Sequence, residues 1–250
     1  MSVVPAEFIL LLGDSPYMQG AAVIAGIGPG FCEEFAWKLA REGHPVALFS
    51  RSEDYLAGVE AELRDGGFDA IAIPTDVTDP EAVAESFDRV HQAFGHVEVL
   101  AHMASTVTSE TQGELDPDRL EKMWRLYTHG GLLCFREVLP DMREHGGTVL
   151  FFGASPTAGD FAFKSGKDAT RGLARSLANQ YGAEGIHVAH VIIDGGLLNP
   201  DVYETEGTIN EEAYIDPAAA AETCYHLVEQ PDRARTFELD LHAHERTVTQ

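Results

Sequence analysis

The sequence predicts a three-layer α/β domain built on a doubly wound parallel sheet, on three observations. Short apolar runs alternate with amphipathic stretches of helical period over nearly the whole chain. The runs are almost continuously apolar, as strands covered by helices on both faces must be. A glycine-rich turn joins the first run to the first amphipathic stretch, where open α/β sheets bind their ligands.

Residues 21–28, AAVIAGIG, read as a strand running into a tight turn, and FCEEFAWKLAREG follows as a helix because Phe31, Phe35 and Leu39 recur at helical spacing. PVALFS is a second buried strand, EDYLAGVEAELRDGG a helix closed by glycines, and AIAIPTD a third strand. DPEAVAESFDRVHQAFG carries acids in its first turn, which suits a helix N-terminus, and VEVLAHMAS follows as a strand. DPDRLEKMWRLYTHGGLLCFREVLPDMREHGG is predicted as one long helical stretch ahead of the strand TVLFFGAS. A helix from Phe163 to Glu184, the strand IHVAHVIID, an acidic loop, the helix DPAAAAETCYHLVEQ and a last strand RTFELDL complete the alternation. That order implies right-handed β-α-β crossovers within one sheet.

No Pro/Gly/Ser-rich linker divides the 250 residues, so a single domain is expected over residues 21–250, behind an N-terminal extension of residues 1–20. No apolar run reaches the roughly 18 residues of a membrane span, and AEFILLL lacks the basic flank of a secretion signal; a cytoplasmic setting is expected. Cys32, Cys134 and Cys224 are few, odd in number and far apart, which fits reduced core thiols better than disulfides. His242 and His244 lack a third ligand at metal-binding spacing, and no metal is expected. The net charge of −24, with only four lysines (Lys38, Lys122, Lys164 and Lys167), disfavours nucleic acid and anionic membranes as partners. Acids spread along the whole chain suit a protein adapted to high salt, where screening removes self-repulsion.

The turn AGIGPGFC places Gly26, Gly28 and Gly30, followed by the first helical residue Phe31, where backbone N–H groups and the positive helix end meet a pyrophosphate. This is the cradle of a Rossmann-type dinucleotide fold. At the end of the second strand, where an acid would hold the ribose diol of NAD, stand Ser50 and Arg51. A guanidinium there pairs with a 2′-phosphate, so NADP is expected over NAD; the plain alternative is a solvated loop arginine. Asp76 and Val77 after the third strand, and Ala104 and Ser105 after the fourth, fall at the same carboxyl edge of the sheet.

From about Ala21 to Leu241 the chain resembles the short-chain dehydrogenase/reductase family. AGIGPGFC is similar to its T-G-x-x-x-G-x-G turn, with Ala25 for Thr and Cys32 for the last glycine; TDVTDPEAV, GGTVLFFGAS, GIHVAHVIIDGG and FELDL resemble further family segments. The resemblance implies NAD(P)-dependent hydride transfer to or from a small-molecule carbonyl or alcohol, pairing through the long middle helices into a homodimer or homotetramer, and Gly195 as a cofactor neighbour. Residues 117–145 and 163–184 carry apolar faces compatible with that pairing. The segment LLNPDVYETEGTINEEAYID stands where the family has its substrate flap, with Asn199 near the threonine that contacts the carboxamide.

The family's catalytic Asn, Ser, Tyr and Lys are mostly replaced. Lys167 matches the lysine of Y-x-x-x-K, but Phe163 stands at the tyrosine, Ala154 at the serine with Ser155 next to it, and Tyr127 at the asparagine. Phenylalanine neither gives nor takes a proton, so another group must serve if the chain is a hydride-transfer enzyme. The expected catalytic set is Lys167, Ser155 and Tyr127. The plain alternatives are Tyr127 as a packing residue with a satisfied hydroxyl, Ser155 as a turn cap and Lys167 as an exposed helix lysine. Asp160 is a proton donor if desolvated, or else an N-terminal charge partner of its helix. His102 and His129 titrate in the right range, though nothing in the sequence turns them toward the crevice. The alternative to an atypical enzyme is a cofactor-binding homologue without turnover, a sensor or the inactive partner of an active subunit.

Overall fold

A computed structural model describes residues 19–106, 115–154, 159–199 and 209–244. Its main sheet has seven parallel strands in the order β3-β2-β1-β4-β5-β6-β9. The strands are β1 (Ala21–Ala25), β2 (Val46–Ser50), β3 (Ala70–Pro74), β4 (Val97–His102), β5 (Gly147–Ala154), β6 (Ile186–Asp194) and β9 (Glu238–His242). The helices are α1 (Phe31–Arg41), α2 (Glu53–Asp65), α3 (Pro80–Phe94), α4 (Pro117–Trp124), α5 (Gly130–His145), α6 (Phe161–Tyr181) and α7 (Pro217–Val228). A two-residue parallel ladder of β7 (Gly196–Leu197) and β8 (Tyr214–Ile215), not foreseen from sequence, closes the base of the segment after β6.

Strand alternation divides the core. Ala22 and Ile24 of β1 face a cluster with Phe35 and Leu39 of α1, Leu56 of α2 and Cys224 of α7. Ala21, Val23 and Ala25 face Val83 and Phe87 of α3, Val138 of α5 and Ala174 of α6. Both faces are covered, which is why the strands are apolar throughout. Helix starts follow local chemistry: Asp79, Asp116 and Asp216 each precede a proline at the first helical position and accept backbone N–H bonds as N-caps of α3, α4 and α7.

Three boundaries depart from the sequence expectation. The helix expected over Phe163–Glu184 runs from Phe161 to Tyr181, because Asp160 accepts the Phe163 N–H as its N-cap. The last strand begins at Glu238, since Arg235 is held by Asp232 and Gly185 O, and the Thr236 N–H by Gln230 Oε1. The long middle helix is broken by a π-turn, Arg125–His129, between α4 and α5. One extra residue per turn there rotates the Tyr127 side chain inward, and such turns recur at functional sites. The N-terminal extension up to residue 18 lies outside the described residues.

Candidate functional site

The carboxyl ends of β1 and β4 meet at the point where strand order reverses, which opens a crevice above them. Met103 and Ala104 both donate their N–H to Ala25 O at 2.9 Å, drawing the end of β4 onto β1. Gly26, at φ +98°, lies under this contact, and a Cβ on it would sit 2.2 Å from Ala104 Cα. Its glycine is therefore required by protein packing, where the sequence suggested room for a ligand. A Cβ on Gly28 would meet nothing within 4 Å, so the turn is open there. A Cβ on Gly30, which stands at φ +82°, would come 3.3 Å from Leu198 O and 3.2 Å from Asn199 Cβ, so the root of the flap segment lies against the cradle. Residues 200–208 of that segment lie outside the described residues.

The cradle is more occupied than a free helix N-terminus. The Gly30 N–H donates to Glu33 Oε2 at 3.0 Å, and the same carboxylate accepts from the Tyr55 hydroxyl at 2.7 Å. Glu33 thus takes one donor and sets a negative charge in the first turn of α1; an anion would use the first-turn N–H groups beyond it.

A cavity of about 90 Å³ is lined by Gly26, Ser50, Arg51, Asp76, Val77, Ala104 and Ser105, so most of the residues expected to bind the cofactor do come together. Beside it a cavity of about 410 Å³ brings Lys122 and Arg125 of the α4–π-turn segment opposite Arg51 and Asp76. Asp76 Oδ1 accepts from the Thr78 N–H and hydroxyl at 2.9 and 2.7 Å, which fixes the carboxylate at the rim. Ser105 also borders a third, mostly apolar cavity of about 290 Å³, lined by Phe31, Cys32, Phe152, Phe163, Lys167 and Gly195 among others. The string of cavities runs along the carboxyl edge from Arg51 to Lys167.

Lys167 is the centre of the apolar end. It is buried, 5 % exposed, which overturns the reading as a surface helix lysine. Its Nζ donates to Phe152 O at 3.1 Å and stands 4.2 Å from the centroid of the Tyr127 ring. Burial lowers its pKa to about 8. A buried ammonium with three donors and one carbonyl acceptor among the described residues is built for further acceptors, such as the hydroxyls of a ribose. Open turn, Arg51 at one end and this ammonium at the other fit a nicotinamide dinucleotide.

Tyr127 is 1 % exposed and borders none of these cavities. Its ring packs edge-on to Phe163 at 5.7 Å and covers Lys167, but its hydroxyl has no hydrogen-bond partner among the described residues, unlike the satisfied packing tyrosine expected. Burial raises its pKa, partly offset by the Ser105 side chain and the Thr106 backbone beside it. Ser155 lies outside the described residues. Asp160 accepts from the Phe163 N–H and binds Arg119 at 2.6 Å; these contacts hold its pKa low, so it is a cap and ion-pair partner and no proton donor.

His102 lines none of these three cavities. Its Nε2 lies 3.2 Å from Leu126 O, a carbonyl inside the π-turn, and burial lowers its pKa to about 4. His129 stacks on Trp124. The sequence missed Cys32, whose side chain borders the apolar cavity in the field of Lys167 and whose thiol burial pushes up to about 11. Its position at the family's last glycine was the available signal. Lys122 and Met103 were missed because helix register and strand-end geometry alone bring them to the cavities. Among the described residues all three cysteines are free, and no group of three His, Cys, Asp or Glu side chains gathers to hold a metal.

Comparison with known proteins agrees with this geometry. A versicolorin reductase of Emericella nidulans is 29% identical over 130 residues, 52% of this chain and 49% of its own length. An uncharacterized oxidoreductase of Staphylococcus aureus is 25% identical over 223 residues, 87% of this chain and 94% of that protein. The chain thus spans about half the length of the first of these and nearly all of the second. Among solved structures, an alcohol dehydrogenase from the archaeon Thermococcus sibiricus complexed with 5-hydroxy-NADP superimposes with a TM-score of 0.79 at 25% identity, covering 92% of this chain and 99% of that one. The family model described as short chain dehydrogenase matches residues 20–205, and with the parallel sheet, the glycine turn and the buried lysine it follows that the chain belongs to the short-chain dehydrogenase family.

Proposed function

We propose that this chain is an NADP(H)-dependent oxidoreductase that reduces a small apolar carbonyl, or oxidises the corresponding alcohol, without a phenol at the usual place. The observation that carries the reading is the continuous line of cavities with a guanidinium at one end and a buried ammonium at the other. Bound NADP(H) would supply or accept the hydride. Gly28 and the first turn of α1 would take the pyrophosphate, Arg51 the 2′-phosphate, Asp76 and Val77 the adenine side, and Lys167 the nicotinamide ribose. Phe152, Phe163 and Leu197 leave an apolar space beside Lys167, which suits a small uncharged substrate. Phe163 lies one helical turn before Lys167 and brings no proton, so the proton must come from another group, for which Lys167, Ser155 and Tyr127 are the candidates.

A reading without turnover rests on the same Phe163: a cofactor-binding homologue acting as a sensor or as the silent subunit of a mixed oligomer. Fluorescence titration with NADPH and NADH, beside an Arg51→Ala variant, tests the binding common to both. Tight NADPH binding, weakened about ten- to hundredfold by the substitution while NADH is little changed, is the expected result. No binding of either nucleotide overturns both readings. A screen of small aldehydes and ketones with NADPH then separates enzyme from silent binder.

We also infer a homodimer or homotetramer in a cytoplasmic setting. Leu120, Trp124 and Leu132 are exposed on α4 and α5, in line with pairing through the middle helices, whereas α6 shows no exposed large apolar side chain among the described residues. Sedimentation of the native protein against a Trp124→Glu variant tests this, a shift to monomer being expected.

A further inference from the structure

Behind the apolar cavity lies a second chamber of about 200 Å³ that the cofactor reading leaves unused. The two share Gly153, Ala154 and Lys167, so the lysine is the one titratable side chain bordering both. The far wall is His190 of β6, 2 % exposed, with neither ring nitrogen hydrogen-bonded among the described residues. His190 fits because residue 153 is glycine: a Cβ there would come within 2.5 Å of His190 Nε2. On the other side His190 Nδ1 stands 3.4 Å from Glu238 Oε2, and Arg171 holds that carboxylate with its Nη2 at 2.7 Å from Oε1. An ionised carboxylate there favours the proton on Nδ1 and leaves Nε2 as an acceptor. Unpaired polar atoms at a cavity wall are what ordered water satisfies, and this volume holds several molecules at about 30 Å³ each.

We propose that this chamber is a water inlet to Lys167, walled and oriented by His190, and that Lys167 is the proton donor replacing the absent phenol, recharged from behind through the inlet. The proposal rests on the oxidoreductase reading for its donor role but not for the inlet. In the donor step one Nζ–H bond breaks with its electron pair left on nitrogen, and an O–H bond forms on the substrate oxygen as the carbonyl carbon gains the hydride that bound reduced dinucleotide would supply and the C=O π pair moves onto that oxygen. The neutral amine then takes a proton from water in the chamber, and the hydroxide left behind is neutralised by a proton passed in along the chamber water from bulk solvent. His190 acts as a positioning residue.

The charged and titratable groups around the Lys167 amine come from every neighbouring element. Lys164, Asp168 and Arg171 lie on its own helix, Cys32 on α1, His102 on β4, Tyr127 on the π-turn, His190 on β6 and Glu238 on β9. Lys164 is paired with Asp168, and Arg171 with Glu238. Burial keeps His102 and His190 neutral near pH 7, each with a pKa lowered to about 4. The amine is therefore the group in this cluster that changes charge near pH 8.

The test uses protein labelled with 15N in its four lysines, assigned by Lys→Arg substitution. Nζ titration and proton exchange with water are followed without nucleotide and with saturating NADP+, which covers the substrate side. Expected are a Lys167 Nζ that titrates well below the other lysines and an exchange that persists under NADP+. His190→Phe or Ile192→Phe, which fill the chamber from two walls, should each slow it at least tenfold, and His190→Asn should largely restore it. Exchange unaffected by both filling variants, or abolished by NADP+ in the wild type, overturns the inlet. If NADP+ does not bind, the oxidoreductase reading fails, and the inlet is decided by the share of the nucleotide-free exchange that both filling variants remove, none removed overturning it. The donor role is decided separately: carbonyl reduction should fall as pH rises through the Nζ pKa measured by NMR, and a profile that ignores that pKa overturns it.

Discussion

Single residues carry most of the chemical distinction here. Lys167 has an ordinary pKa of 10.5, lowered by burial to about 8. Because the folded value lies below the unfolded one, the protein is most relieved of this charge above pH 10.5 and loses that relief as pH falls through 8, a cost of about 3 kcal/mol at neutral pH. Lys167→Met should therefore flatten the rise of stability between pH 8 and 10.5 in urea unfolding; an unchanged slope would show that the amine is solvated. Tyr127 offers a sharper division between packing and catalysis. Its buried hydroxyl has no partner among the described residues, so Tyr127→Phe should leave stability unchanged or raise it by about 1 kcal/mol. A large loss of turnover in that stable variant would instead give the phenol a chemical role. On the proposed reading, Phe163→Tyr supplies a phenol one turn before Lys167 and should raise carbonyl reduction at least tenfold.

At the scale of elements, the crevice is set by how β4 closes on β1 and by the π-turn. Gly26→Ala would force a Cβ against Ala104 at a positive φ, and should destabilise by about 2 kcal/mol or more in urea unfolding. The π-turn leaves carbonyls without regular helical partners, and His102 answers one of them at Leu126. Its folded pKa of about 4 lies below its ordinary 6.5, and the same holds for His190. The unfolded chain binds more protons between pH 6.5 and 4, so stability falls as pH drops through that window. His102→Asn should reduce the slope there; an acid transition of identical steepness would place the sensitivity elsewhere.

At the scale of the molecule, the net charge of −24 is repulsive and screened over about 10 Å at 0.1 M salt, shrinking to about 3 Å at 1 M. Adaptation to high salt remains a proposal, and thermal unfolding across KCl concentrations checks it: Tm should climb steadily toward molar salt. Full stability and activity without added salt would sink it. No helix among the described residues is long and apolar enough to cross a membrane.

The alternation of strands and helices, the aspartate-proline helix starts and the glycine turn were legible in the sequence because each depends on neighbours within a few residues. Arg51, Asp76 and Ala104 could be placed on one edge because parallel crossovers put every strand end on the same side. The sequence determined the fold, the family pattern and the absence of a phenol at residue 163. Tertiary structure alone decided that Gly26 serves packing, that Glu33 takes a cradle donor, that Lys167 is buried between two cavities and that Cys32 and His190 stand beside it. Those facts depend on contacts between residues far apart in the chain, where burial and the distance to a neighbouring charge, rather than local propensity, set what a side chain can do.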